Sequence, residues 1–361
     1  MARATDIKFM RRTLQLAQKG SGFVSSNPMV GAVIVKNGKV IGEGFHQRFG
    51  EAHAEINAIE SASQPVRGAT LYCNLESCCH RNKKTPPCIP RIIREGIKRV
   101  VIASLDPNPE VNGKGVEFLR NAGIVVETGI MQEESDELNR FFFKYITTML
   151  PYVTLKVAQS IDGKITEKIG EQTWLSAKAS QLLVHKWRSA YDAVLIGANT
   201  VKIDNPQLTV RYVAGRNPIR VVLDGNLTLN AKYRLFHADY SSKTIVISQG
   251  NQDKKRIKRY KGLNCEVISI PGGSNNRIPI KDILRVLVQK NITSILVEGG
   301  QQIFSQFISQ ECVDEIAVFI APKILGRGLS TFDLENTDMG RDFKLIRYEE
   351  CGADVLLTYR I

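Results

Sequence analysis

Apolar positions along this chain switch repeatedly between a helical and a strand period. Ile7, Met10, Leu14, Leu16 and Ala17 recur near helical spacing, so residues 6–19 read as an amphipathic helix. After a polar loop, Gly31-Ala32-Val33-Ile34-Val35 is a short β-branched run, and Asn37-Gly38 is a strong hairpin signal that returns residues 39–44 as its partner strand. The same reading predicts a helix over 52–62, a strand over 70–75, a helix from Pro90, a strand over 99–103, a helix over 113–122 and a strand over 124–126. Phe141-Phe142-Phe143 and the turn near Pro151 mark a boundary, after which the pattern restarts. Strands are expected at 152–157, 193–196, 219–223, 244–247, 295–297 and 315–320, with helices at 176–190 and 281–290. Alternating strands and helices in both halves predict two α/β domains, residues 1–147 and 148–361.

Composition narrows this picture. Of 361 residues, 43% are hydrophobic and 24% charged, so each half can bury a core and no disorder signature appears. No apolar run reaches the length of a membrane span, and the first residues lack the apolar stretch of a secretory signal, so the cytosol is the expected location. The net charge of +13 favours anionic partners. Lys83-Lys84 and Lys254-Lys255-Arg256 are short and lack interleaved aromatics, so phosphorylated small molecules are expected rather than nucleic acid.

The seven cysteines are unevenly spread. Cys73, Cys78, Cys79 and Cys88 cluster, whereas Cys265, Cys312 and Cys351 are scattered and read as core residues. A tight cluster in a cytosolic chain points to metal or redox chemistry. His53-Ala54-Glu55 opens an expected helix, and Cys78 and Cys88 follow in a loop after a strand. One imidazole and two thiolates are good Zn2+ ligands and leave a fourth position for water. Zinc lowers the pKa of that water from about 15.7 to about 7. Glu55 is then placed to shuttle protons, as in zinc nucleobase deaminases. Cys78 and Cys79 are adjacent, so only one of them points inward easily. Cys78 is taken as the ligand, with Cys79 the alternative. A structural zinc module would close the site with a fourth protein ligand, for which Cys79 or His80 is available. A nucleic-acid deaminase would carry Pro-Cys-x-x-Cys, and here the two cysteines stand much further apart.

In order along the chain, Asn27-Pro28-Met29-Val30-Gly31, Gly44-Phe45-His46, His53-Ala54-Glu55, Leu75-Glu76-Ser77-Cys78-Cys79-His80, Thr85-Pro86-Pro87-Cys88 and Asp106-Pro107-Asn108-Pro109 resemble the bifunctional riboflavin enzymes. In these a diaminohydroxyphosphoribosylaminopyrimidine deaminase is joined to a 5-amino-6-(5-phosphoribosylamino)uracil reductase. The resemblance implies a cytidine-deaminase-like α/β/α layered domain, with His53, Cys78 and Cys88 on zinc, Glu55 as proton donor and acceptor, and Asn27, His46 and His80 in the substrate pocket. The family usually has proline where this chain has Ser26 and Ser77.

Four later segments are weak alone: Ser160 to Ile165, Gly197-Ala198-Asn199-Thr200-Val201, Asp204 to Arg211, and Leu296-Val297-Glu298-Gly299-Gly300. The first reads as a strand and turn, the next two as a polar loop, and the glycine pair as a turn or a phosphate cradle at a helix N-terminus. No Gly-x-Gly-x-x-Gly fingerprint follows a strand, which argues against a classical Rossmann site. Together these segments resemble the reductase domain of the same family, which implies a dihydrofolate-reductase-like α/β fold using NADPH. By that resemblance Lys156, Arg188, Leu208, Arg211 and Glu298 face substrate, the arginines suiting its phosphate. Lys156 and Asp204 lie near the reacting carbon. Ala158, Trp174, Thr200, Asp204, Gly225 and the loop Gly300, Gln301, Gln302, Ile303, Phe304, Ser305, Gln306 contact NADPH. Where the family often has serine, this chain has Gln172. The resemblance further implies a phosphorylated pyrimidine substrate and a homodimer or homotetramer. It implies deamination of 2,5-diamino-6-ribosylamino-4(3H)-pyrimidinone 5′-phosphate, then reduction of the ribosyl chain to give 5-amino-6-(5-phospho-ribitylamino)uracil.

Overall fold

The computed structural model describes residues 2–80, 85–237, 242–250, 252, 254–263, 265–273, 278–334 and 342–361. Lys83-Lys84 lie outside them. The chain divides into two compact units, Met1–Met149 and Leu150–Ile361.

The first unit runs α1 (Ala2–Gln18), β1 (Gly31–Lys36), β2 (Lys39–Phe45), α2 (Ala54–Glu60), β3 (Thr70–Leu75), α3 (Cys88–Arg94), β4 (Arg99–Ser104), α4 (Lys114–Asn121), β5 (Val125–Thr128), α5 (Gln132–Leu138) and α6 (Arg140–Thr148). Its sheet has the order β2-β1-β3-β4-β5; β1 is antiparallel to both neighbours, and β3, β4 and β5 are parallel. Strand alternation sorts the core into two layers. Ala32 and Ile34 face α2, α3 and α4, packing with Ala54, Ala58, Ile89, Ile92 and Leu119; Val33 and Val35 face α1, packing with Phe9, Met10 and Leu16. Asn37 (φ 49°) and Gly38 (φ 73°) both take positive φ, as the two-residue hairpin turn demands. Gly42 and Gly44 let α2 lie directly on β2: a Cβ at either would overlap the backbone of Ala58.

The second unit contains β6 (Tyr152–Ser160), β7 (Lys164–Thr166), α7 (Lys178–Ala190), β8 (Ala193–Gly197), α8 (Ala198–Asp204), β9 (Ile219–Leu223), β10 (Thr244–Gln249), α9 (Lys254–Lys261), β11 (Glu266–Ile270), α10 (Ile280–Val288), β12 (Ser294–Val297), α11 (Gln301–Ser309), β13 (Glu315–Ala321), β14 (Leu329–Ser330), β15 (Lys344–Cys351) and β16 (Asp354–Arg360). Nine strands form one sheet in the order β11-β10-β9-β8-β12-β6-β13-β16-β15, parallel from β11 to β13 and closed by the antiparallel β16 and β15. One face packs α10 and α11 through Ile283, Leu284, Leu287, Phe304 and Phe307; the other packs α7 through Val184 and Trp187 onto Ala317 and Phe319. Two expected loops are helices here. Residues 198–204 form α8, and residues 301–306 are the first turns of α11. No helix among the described residues is long and apolar enough to cross a membrane.

Candidate functional site

In the first unit, α2 and α3 share one face of the sheet, so their N-terminal ends meet the loop that leaves β3. His53 is the N-cap residue of α2, and Cys88 is the first residue of α3. Cys78 Sγ lies 3.5 Å and Cys88 Sγ 3.4 Å from His53 Nδ1, and the three ligand atoms all fall within 4.8 Å of one another. Tetrahedral zinc, with Zn–S about 2.3 Å and Zn–N about 2.0–2.1 Å, sets sulfur and nitrogen roughly 3.5 Å apart, so this donor set fits the ion. The Cys88 amide donates to Cys78 Sγ at 3.3 Å. Cys79 turns the other way, toward the Glu110 carbonyl 3.7 Å off, and burial raises its thiol above the usual range. Glu55, in the first turn of α2, is 2% exposed.

His46 packs edge-on against His53 with ring centroids 5.4 Å apart. Its Nδ1 donates to the Ala52 carbonyl (3.1 Å), which leaves Nε2 to accept from Asn27 Nδ2 (3.0 Å). Asn27 is therefore beside the three ligands. His80 Nδ1 stands 3.3 Å from Glu110 Oε2.

Residues that sequence reasoning missed hold this arrangement. Asn74 accepts from the Gly31 amide (2.8 Å) and donates to the Met29 carbonyl (3.0 Å), and Asn139 accepts from the Met29 amide (2.8 Å). Together they pin the segment that carries Asn27. Glu76, 4% exposed, accepts three backbone amides: Asp106 (3.2 Å) and Gly113 (2.9 Å) on one oxygen, Val116 (3.1 Å) on the other. Only the placement of Glu76 inside a recognisable motif hinted at a role.

In the second unit, Lys156 on β6, Asp204 at the end of α8, Arg188 on α7 and Glu298 after β12 influence one another electrostatically. Burial lowers Lys156 below a free lysine, opposed by Glu298, and burial raises Asp204 above a free carboxylate, opposed by Lys156. The Lys156 ammonium lies 5.8 Å over the Phe319 ring.

Arg188 is anchored within the unit. Its Nε and Nη2 donate to the two Glu298 oxygens at 2.7 Å each, and Nη1 donates to the Thr209 carbonyl at 3.3 Å. The bidentate face is already engaged, in a pair only 12% and 9% exposed. Arg211 is exposed, and its Nη1 donates to Thr209 Oγ1 at 2.9 Å. The Arg211 amide donates to His185 Nδ1 (3.0 Å), so that ring is neutral; burial and the two arginines hold His185 down at about 4. Leu208 is buried at 2% with φ 56°, so it offers the site shape rather than a polar contact.

The expected NADPH-contacting positions divide. Thr200 Oγ1 faces Gly300, the N-cap of α11, at 3.8 Å from where a Cβ would stand. Gly225 follows Asp224, whose carboxylate accepts from the Thr228 and Leu229 amides and the Tyr260 hydroxyl. Ala158 is half-buried on β6, and Trp174 is 70% exposed rather than packed. Gln301 and Gln302 stand in the first turn of α11. Beyond them, Ile303 packs on Gly197 and Gly299, Phe304 enters the core beside Phe332, Ser305 donates to the Gln301 carbonyl, and Gln306 donates to that of Ile278.

Comparison with known proteins agrees with both halves. The cytidine and deoxycytidylate deaminase zinc-binding region family matches residues 3–104, and the RibD C-terminal domain family matches residues 151–357. A deaminase-type zinc unit joined to a dihydrofolate-reductase-like unit defines a bifunctional enzyme, hydrolase and oxidoreductase, whose cofactors are Zn2+ and NADPH. The riboflavin biosynthesis protein RibD of Aquifex aeolicus is 42% identical over 100% of this chain and 99% of its own, and that of Escherichia coli 35% identical over 98% of each. The crystal structure of a diaminohydroxyphosphoribosylaminopyrimidine deaminase/5-amino-6-(5-phosphoribosylamino)uracil reductase from Thermotoga maritima superposes with a TM-score of 0.88 at 40% identity, covering 100% of this chain and 99% of that one. Acinetobacter baumannii RibD gives 0.87 at 34% identity, covering 99% of each. The chain belongs to the RibD family of riboflavin biosynthesis proteins.

Proposed function

We propose that the first unit deaminates 2,5-diamino-6-ribosylamino-4(3H)-pyrimidinone 5′-phosphate and that the second reduces the ribosyl chain of the product, giving 5-amino-6-(5-phospho-ribitylamino)uracil. The observation that carries the reading is one imidazole nitrogen within 3.5 Å of two sulfurs, with a buried carboxylate two residues along the same helix. His53, Cys78 and Cys88 would hold zinc, which would supply the Lewis acidity that activates water at neutral pH. Glu55 takes the proton of the attacking water and passes it to the departing nitrogen. A carbon–oxygen bond forms at the ring carbon, the carbon–nitrogen bond breaks, and ammonia leaves. Asn27, held by His46, and His80 orient the pyrimidine.

In the second unit NADPH, when bound, would supply the hydride for the ribosyl carbon. Burial makes the Lys156 ammonium easier to deprotonate and keeps a proton on Asp204 more readily, so these two groups are suited to deliver the accompanying proton. Arg211 takes the substrate phosphate, and the Arg188–Glu298 pair fixes the floor beside Lys156. Thr200, Gly225, Gly300, Gln301 and Gln302 line the path of the dinucleotide, with Trp174 at its exposed end. The test is a coupled assay with the diaminopyrimidine phosphate, following ammonia and NADPH absorbance together. A chelator is expected to stop both signals from that substrate. NADPH consumption without ammonia release would overturn the order of the two steps.

A further inference from the structure

His53 is held at both ring nitrogens. Nδ1 faces the two sulfurs, and Nε2 lies 3.0 Å from Thr85 Oγ1. We propose that Thr85 is a positioning residue of the metal centre, its hydroxyl bracing the His53 ring so that Nδ1 points between Cys78 and Cys88. The inference rests on the metal reading of these three residues and adds a fourth that coordinates nothing.

The reason is geometric. Rotating the imidazole half a turn about its Cβ–Cγ bond exchanges Nδ1 for a carbon, which offers the sulfurs and any ion between them no lone pair. The same rotation carries Nε2 away from the Thr85 hydroxyl and breaks that hydrogen bond. The bond therefore favours the one ring orientation that can coordinate. With Nδ1 as ligand, Nε2 carries the proton and donates, and Thr85 Oγ1 accepts.

The brace is itself stiffly mounted. Thr85 is joined to the ligand Cys88 through Pro86 and Pro87, and Pro87 has φ −63° and ψ 145°. Proline fixes its own φ and restricts the residue before it to extended backbone. One short segment thus carries both a ligand sulfur and the brace for the ligand nitrogen, and the two keep their separation. A hydroxyl also adds no charge beside the two sulfur ligands.

Losing an outer partner of a ligating histidine lowers metal affinity about 10–100-fold. A neutral hydroxyl orients the ring without raising its basicity as a carboxylate would, so the lower end, about tenfold, is expected for Thr85→Val. Zinc dissociation constants are measured by competition with a chromophoric chelator on full-length protein. Cobalt(II) is titrated in parallel, to read coordination geometry from its visible absorption. Thr85→Val is expected to weaken zinc binding about tenfold and alter the cobalt spectrum, while Thr85→Ser stays close to the parent in both. Unchanged affinity and spectrum in Thr85→Val overturn the proposal. So does a Thr85→Ser variant as weak as Thr85→Val, because the lost methyl and not the hydroxyl is then responsible. If Thr85→Val does not fold by circular dichroism, Thr85→Ala against Thr85→Ser makes the same comparison. A parent protein that takes up no zinc at all is a different result, which overturns the metal reading itself.

Discussion

Glu76 carries an unusual load for one side chain, accepting three amides from a stretch that begins thirty residues later. Changing it to glutamine turns one acceptor into a donor facing donors. Glu76→Gln is expected to destabilise the first unit by about 2 kcal/mol, read as a lower midpoint in thermal or urea unfolding. His185 makes a prediction in pH. Its folded pKa of about 4 is below the 6.5 of an unconstrained imidazole, so above pH 6.5 it is neutral folded or unfolded and contributes nothing to the pH dependence. Between 6.5 and 4 the unfolded chain takes up a proton that the folded one refuses, and stability falls with pH. His185→Gln removes that share. The difference in melting temperature between parent and variant is expected to shift in the variant's favour as pH drops through this window and to level off below about 4. A constant difference from pH 7 to 4 would contradict it. At this scale the ligands were legible in the sequence because zinc accepts few residue types. Glu76, Asn74 and Asn139 were not, because they bind backbone groups far along the chain that carry no residue signature. The pairing of Arg188 with Glu298 across 110 residues was hidden in the same way.

Among elements, the seating of α2 on β2 decides where His53 and Glu55 stand. It depends on Gly42 and Gly44 presenting bare backbone to Ala54 and Ala58. Gly44→Ala forces the helix outward, and ammonia release and zinc stoichiometry are expected to fall together; full activity with one zinc bound would show that the close approach is dispensable. Strands and helices with a buried face, such as β1 and α10, announced themselves by period. Residues 198–204 did not, since α8 is two turns long and buries only Val201 fully. Nor did β15 at the sheet edge, whose residues are mostly exposed and so lack the in–out alternation a strand needs to be recognised. Asn37-Gly38 succeeded because two consecutive positive φ values admit few residue pairs.

At the scale of the molecule, each unit has its own sheet and its own core. Glu55→Ala is expected to abolish ammonia release while leaving NADPH oxidation intact when the deaminated intermediate is supplied. Lys156→Ala is expected to do the reverse. Loss of both activities in either folded variant would contradict separate sites. The fold class was readable because both halves alternate strand and helix. The rotation of α11, which sends Phe304 into the core, was not, because residues 301–306 read as a loop. One further consequence follows from where the indoles lie. The chain has two tryptophans, Trp174, which is 70% exposed, and Trp187, packed 5.5 Å from Phe319, and both belong to the second unit. Emission excited at the red edge therefore comes from the reductase half alone. A melt followed by that light takes its signal from indoles of the reductase half, so unfolding of the deaminase half needs a second probe.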